Sequence, residues 1–284
     1  MKMAEQTTVL VLGSKGYIGS RILQQLKKEQ SAFKVVEDGR EYDLLELQQV
    51  QKLYDKQHID EVIVAAGVGN RASDRDSMWA MMENIQITAN VLYTFGGNCN
   101  IVYLGTGLDD KYEGSYYQRV KHICRLMTAD LCKNEGLGDV THVRLFHVYG
   151  PNEPKYRLIP FIVNQINTKG VVNLERNICI DPLHVDEICK TICNYVRRGH
   201  DKVQNVWNVG TGTGTLISDL AKQIAVIMGK PETPIICNPY CVSHHNYVPE
   251  GPYLNQRELQ PEEHIWLEEA LPEIVTSYTK TYHE

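Results

Sequence analysis

The stretch Thr7 to Gly19, TTVLVLGSKGYIG, constrains this chain most. Val9, Leu10, Val11 and Leu12 make an apolar run too short to cross a membrane, which predicts a strand covered on both faces in a parallel sheet. Gly13, Gly16 and Gly19 follow at three-residue intervals, and Ile22, Leu23 and Leu26 then recur with a helical period. Strand, glycine turn and helix come in the order a dinucleotide site requires. A pyrophosphate approaches backbone N–H groups at a helix N-terminus, where the dipole favours an anion, and a Cβ at the nearest glycines would hold it off. The spacing is G-x-x-G-x-x-G rather than G-x-G-x-x-G. Gly13, Lys15, Gly16, Tyr17, Ile18 and Gly19 are the expected cofactor loop, with Lys15 either a phosphate contact or a solvated lysine.

The second strand, Phe33 to Asp38, ends in acids where a ribose-binding carboxylate would sit. Asp38 favours a free ribose 2′-hydroxyl, whereas Arg40 can accept a 2′-phosphate, so NAD and NADP both remain open, with a lean to NADP(H). Leu44 to Gln57 has a helical pattern, and Glu61 to Gly67 is the next strand, whose Ala65, Ala66 and Gly67 would let a cofactor lie close. Met78 to Phe95 reads as a long helix with Trp79, Met82, Ile85, Ala89 and Leu92 on one face, as core or subunit interface. A strand at Asn100–Gly107, a helix at Ser115–Asn134 and a strand at Val140–Tyr149 complete the alternation. This pattern predicts an α/β fold: a doubly wound parallel sheet over residues 1–151, with parts of 173–210 returning to it. A smaller substrate-binding lobe is expected over 152–284, including a strand at 206–210 and a helix at Ser218–Met228.

A formal charge of -6 leaves no basic footprint, which argues against nucleic acid as the partner. No apolar stretch approaches a membrane span, and MKMAEQ leads straight into the first strand without a signal-like segment. The cysteines at 99, 124, 132, 179, 189, 193, 237 and 241 then read as reduced thiols of a cytoplasmic protein. Cys237, Cys241, His244 and His245 match no standard zinc spacing, so no metal is expected. Cys189 and Cys193 lie one turn apart as core residues, and His184 is expected to fix a turn.

The chemistry is carried by Thr106 at a strand end and by Tyr117 and Lys121, spaced Tyr-x-x-x-Lys on the following helix. Four residues apart, phenol and ammonium share a face, and the cation favours the phenolate, bringing tyrosine toward acid–base use. Thr106 can bond the same oxygen.

With GSKGYIG at 13–19, Asp43-Leu44, the Thr106/Tyr117/Lys121 set, Tyr149-Gly150-Pro151, LHVDE at 183–187 and NVGTG at 208–212, the chain resembles the extended short-chain dehydrogenase/reductases of the NAD-dependent epimerase/dehydratase family. Within it, the run from Gly39 to Gly67 and the NVGTG segment are most similar to nucleotide-sugar 4-keto reductases of the GDP-fucose synthase type. The resemblance implies a Rossmann-type sheet, a homodimer, and a nucleotide-sugar substrate that exchanges hydride with the nicotinamide at carbon 4. It makes Thr106, Tyr117 and Lys121 the catalytic set, with Lys121 also on the nicotinamide ribose and Asp43 and Leu44 beside the cofactor.

Departures from the type narrow the activity. Leu108 and Arg157 stand where it carries an epimerising cysteine and histidine, and no acidic pair follows Thr106, so reduction is expected without epimerisation by that pair and without dehydration. A 4-epimerase with tightly held NAD and a non-catalytic binding subunit are the alternatives. Ile180 replaces an arginine that often contacts the substrate diphosphate, His147 replaces an asparagine, and the Thr106–Tyr117 interval is short. His147, Lys155 and Arg157 are therefore the expected substrate contacts, Arg157 first because a guanidinium can meet a diphosphate with two hydrogen bonds.

Overall fold

The strands are β1 (Thr7–Leu12), β2 (Phe33–Glu37), β3 (Glu61–Val64), β4 (Asn100–Thr106), β5 (Val140–Leu145), β6 (His147–Tyr149), β7 (Val172–Leu174), β8 (Cys179–Ile180), β9 (Pro182–His184), β10 (Val206–Val209), β11 (Thr215–Leu216) and β12 (Ile235–Cys237). The helices are α1 (Tyr17–Lys28), α2 (Leu47–Asp55), α3 (Met78–Phe95), α4 (Tyr116–Glu135), α5 (Leu158–Lys169), α6 (Val185–Arg198), α7 (Ile217–Ile227), α8 (Leu254–Glu258) and α9 (Leu267–Thr281). This is a computed structural model, and it describes residues 6–38, 42–69, 77–110, 115–135, 139–200, 206–238, 248, 251 and 253–281.

The first unit comprises residues 1–145, 188–209 and 254–259. Its sheet has the order β10-β5-β4-β3-β1-β2 with every neighbouring pair parallel, so the expected α/β class with a parallel sheet is the one observed. The chain moves outward from β1 to β2 and then restarts on the other side at β3. That reversal is the switch point at which open α/β sheets bind ligands beyond their strand ends. Alternation along β1 sends Leu10 and Leu12 into a cluster with Val50, Val91, Phe95 and Cys124 of α2, α3 and α4, and turns Val9 and Val11 to the opposite face. All four are fully buried, as the unbroken apolar run predicts.

Two expected boundaries move. The helix expected from Leu44 begins at Leu47, because Asp43 Oδ1 accepts the Leu45 N–H at 2.9 Å and holds residues 43–45 in a turn. The strand expected over 140–149 is two strands: β5 ends at Leu145, and β6 pairs with β9 in a separate small sheet. No glycine or proline interrupts the sequence between Leu145 and His147, so the pairing partners reveal the change of sheet. The face expected on the 78–95 helix as core or subunit interface divides, with Leu92 buried and Ile85 packed against the core while its first turns lie outside. Trp79 is 76% and Met82 56% exposed, while Asn84, Ile87, Thr88, Val91 and Phe95 face inward. Asn84 and Thr88 are buried because their polar atoms find partners inside the unit, which hydrophobic periodicity does not register.

The second unit comprises 146–187, 210–253 and 260–284. It builds its own core from Ile159, Ile162, Val163 and Ile166 of α5, Leu220 and Ile224 of α7, and Leu271, Ile274 and Val275 of α9. Helix α5 ends at Gly170 in the left-handed conformation (φ 65°), the usual glycine stop.

Candidate active site

The glycine loop is shaped by close approach of the chain to itself. Gly13 has φ 78°, and a Cβ there would lie 2.6 Å from the Ala66 nitrogen; a Cβ at Gly19 would overlap the Gly13 carbonyl oxygen. Those two glycines are required by packing alone. Gly16 differs, because a Cβ there would meet only the Gly13 carbonyl, at 3.3 Å. It is the N-cap of α1, in extended conformation, with no side-chain cap and no acidic residue in the first turn. The positive end of α1 is thus left uncompensated by its own first turn, while Lys27 and Lys28 complement the other end. Lys15 is exposed beside it. A dinucleotide pyrophosphate fits this cradle.

Asp38 is buried against the loop. Its Oδ2 accepts the Gly13 N–H at 2.7 Å and its Oδ1 the Ser14 hydroxyl at 2.5 Å. Glu37 points elsewhere, to Lys27 on the surface. Arg40 lies outside the described residues. Asp43 is exposed apart from its turn bonds and Leu44 is buried, with the Leu44 and Leu45 carbonyls each held by Asn90 Nδ2 at 2.9 Å. Ala65, Ala66 and Gly67 follow β3, and the Ala65 N–H donates to the Leu12 carbonyl at 2.9 Å, tying the β3 exit to the end of β1.

Thr106 closes β4, and its Oγ1 accepts the Leu108 N–H at 3.3 Å. Tyr117 and Lys121 lie one turn apart on α4, with Lys121 Nζ 5.9 Å from the Tyr117 ring centroid and 6.0 Å from that of Tyr103. Lys121 is buried, and a Cβ on Gly67 would stand 3.1 Å from its Nζ, so the ammonium lies at the exit of β3. Burial alone would pull the Lys121 pKa down; Tyr103, Tyr117, Cys124 and Asp109 together push it above its ordinary value. It therefore stays charged beside the Tyr117 phenol. The expected cofactor loop and the Thr106/Tyr117/Lys121 set thus belong to one unit, at the carboxyl ends of β1, β3 and β4.

Asn84 was not singled out from the sequence. Its Nδ2 donates to the Val68 and Ala80 carbonyls at 2.9 and 2.6 Å, and its Oδ1 accepts the Val68 N–H at 3.2 Å, so it pins the segment after Gly67. The signal the sequence carries is an asparagine, like Asn90, inside a largely apolar helix.

In the second unit, Arg157 precedes α5, donating from Nε to Glu153 Oε2 at 3.0 Å and from Nη2 to the Val148 carbonyl at 2.7 Å. One edge of the fork is thereby used by the chain itself. His147 Nε2 is buried with no hydrogen-bond partner, and burial together with the Arg157 charge holds its pKa down at about 3, so the ring is neutral. Burial pushes Glu153 up to about 7 against the pull of Arg157. Lys155 is exposed. His184 Nδ1 accepts the Asp186 N–H at 3.2 Å, fixing a turn, and Cys189 and Cys193 are buried in α6. Cys241, His244 and His245 lie outside the described residues. Among those described, no group of three or more His, Cys, Asp or Glu residues could hold a metal, and no helix is long and apolar enough to cross a membrane.

The profile of the NAD dependent epimerase/dehydratase family matches residues 9–210. GDP-L-fucose synthase of Escherichia coli (strain K12) is 22% identical over 269 residues, covering 78% of this chain and 81% of that protein. Two solved structures share the fold at 17% identity: dTDP-glucose 4,6-dehydratase of Bacillus anthracis in complex with NAD, with TM-score 0.76 over 98% of each chain, and UDP-glucose 4-epimerase of Thermus thermophilus in complex with NAD, with TM-score 0.73 over 96% of this chain and 99% of that one.

Proposed function

Because the chain belongs to the NAD dependent epimerase/dehydratase family, we propose that it is an NADP(H)-dependent reductase of 4-keto nucleotide sugars. The observation that carries the reading is the buried, charged Lys121 beside the Tyr117 ring, in the same unit as an uncapped glycine loop. When bound, the reduced dinucleotide supplies a hydride to the carbonyl carbon. Tyr117 donates its phenolic proton to the alkoxide oxygen that forms, Thr106 bonds that oxygen, and Lys121 stabilises the resulting phenolate.

Epimerisation by a pair at these two positions is disfavoured because Leu108 has no proton to exchange and Arg157 is tied to Glu153 and the Val148 carbonyl. NADP(H) is favoured because both Asp38 oxygens serve the loop, which leaves the ribose 2′ position to Arg40 and Lys15. His147, Lys155 and Arg157 contact the sugar nucleotide. The protein works as a cytoplasmic homodimer through α3, whose Met78, Trp79, Met82 and Tyr93 are exposed.

The test is Tyr117→Phe, assayed by NADPH consumption with 4-keto sugar nucleotides carrying GDP and dTDP. Turnover is expected to fall on the order of 10²- to 10⁴-fold with dinucleotide affinity retained. A loss of less than about tenfold would sink the assignment. Dinucleotide retained through purification, with interconversion of sugars lacking any added reductant, would select the epimerase.

A further inference from the structure

Asp109 lies three residues beyond Thr106, is fully buried, and gathers donors from β5 and α4 of its own unit. Its Oδ1 accepts from Arg144 Nε at 2.7 Å, its Oδ2 meets His142 Nε2 at 2.9 Å, and Arg125 Nε stands 3.7 Å away. Its main-chain carbonyl is held by His122 Nδ1 at 2.7 Å and by Arg125 Nε at 3.4 Å. Arg144 reaches further along the same turn, donating from Nη2 to the Gly107 carbonyl at 3.3 Å. His142 also dictates the residue before Thr106: a side chain at Gly105 would overlap its ring, which stacks on Tyr103 with centroids 5.3 Å apart.

A buried carboxylate is tolerated only when charge and hydrogen bonds surround it, and once surrounded it has one position. Here that position fixes the 3₁₀ turn Gly107–Asp110. The turn in turn presents the Leu108 N–H to Thr106 Oγ1. A hydroxyl has one proton and two lone pairs, so a lone pair engaged by Leu108 directs the proton away from the turn.

We propose that Asp109 is a positioning residue, which anchors the 107–110 turn so that the Leu108 N–H aims the Thr106 hydroxyl for catalysis. The inference rests on the reading of Thr106, Tyr117 and Lys121 as the catalytic set. Within the Thr106–Tyr117 interval, the buried carboxylate braces the described turn 107–110.

A double-mutant cycle separates positioning from mere structural support. Asp109→Asn keeps the shape and removes the charge. It is expected to lower kcat on the order of 10- to 100-fold, since misplacement by about an ångström costs that much, while NADPH affinity and KM stay within about twofold. In a Thr106→Ala background the same substitution should change kcat less than about twofold, because its effect runs through the hydroxyl already removed. Equal losses in both backgrounds, or an unchanged kcat in Asp109→Asn alone, would overturn the proposal. An unchanged kcat in Thr106→Ala would overturn the active-site reading, and this inference with it. Should Asp109→Asn fail to fold, Arg144→Met goes through the same cycle and is judged by the same criterion.

Discussion

Gly16→Ala tests whether the glycine loop holds a phosphate, because the structure separates this glycine from its neighbours. Its backbone, at φ -71° and ψ 166°, is open to alanine, and the new methyl would meet only the Gly13 carbonyl oxygen at 3.3 Å. Alanine is the poorer N-cap by ~0.5–1 kcal/mol, and the lower entropy of the unfolded chain returns ~0.4–1 kcal/mol, so stability should hold within about 0.5 kcal/mol. Binding should not hold. A methyl between a pyrophosphate and the first N–H groups of α1 removes a hydrogen bond to a charged group, worth about 1.5–3 kcal/mol, which is about a 10- to 100-fold rise in Kd. Gly19→Ala should do the reverse: its Cβ overlaps the Gly13 carbonyl, so it destabilises by about 1–3 kcal/mol through overpacking. Fluorescence titration with NADPH and thermal unfolding of both variants decide the matter. A Gly16→Ala protein that unfolds normally and binds NADPH within about twofold of the unmutated chain would refute the phosphate cradle.

Arg157→Ala is expected to raise KM for the sugar nucleotide about tenfold with NADPH affinity unchanged, and also to lower the unfolding midpoint because Glu153 loses its cation. Steady-state parameters unchanged at low ionic strength would remove Arg157 from the substrate site. NADPH should bind more tightly than NADH, and Arg40→Ala should erase most of that preference; equal affinities in the unmutated protein would remove Arg40 from the site. Glu153 ionises near 4.5 when unfolded and near 7 when folded, so the unfolded chain releases its proton first as pH rises. Stability should therefore fall between those values, by on the order of 3 kcal/mol, and denaturant unfolding of Glu153→Gln should lose that slope.

Contacts between near neighbours in the chain were legible in the sequence. The apolar run of β1, the glycines that follow it, the 78–95 helix to both ends, and the shared face of Tyr117 and Lys121 all follow from periods of two or 3.6 residues and from Gly sterics. The parallel α/β class follows from their alternation. What tertiary structure decided lies where partners are far apart in sequence. Phe146 ends β5 because β6 finds β9, and α3 turns Asn84 inward because the Val68 backbone bonds it, leaving Trp79 outside. The Arg157 fork is partly spent on Val148 and Glu153, and Asp109 needs Arg144 and His142, which the sequence places more than thirty residues away. Hydrophobic pattern reports which side of an element avoids water, whereas a buried polar group is placed by whichever distant donor or acceptor satisfies it, and only the folded chain reveals that partner.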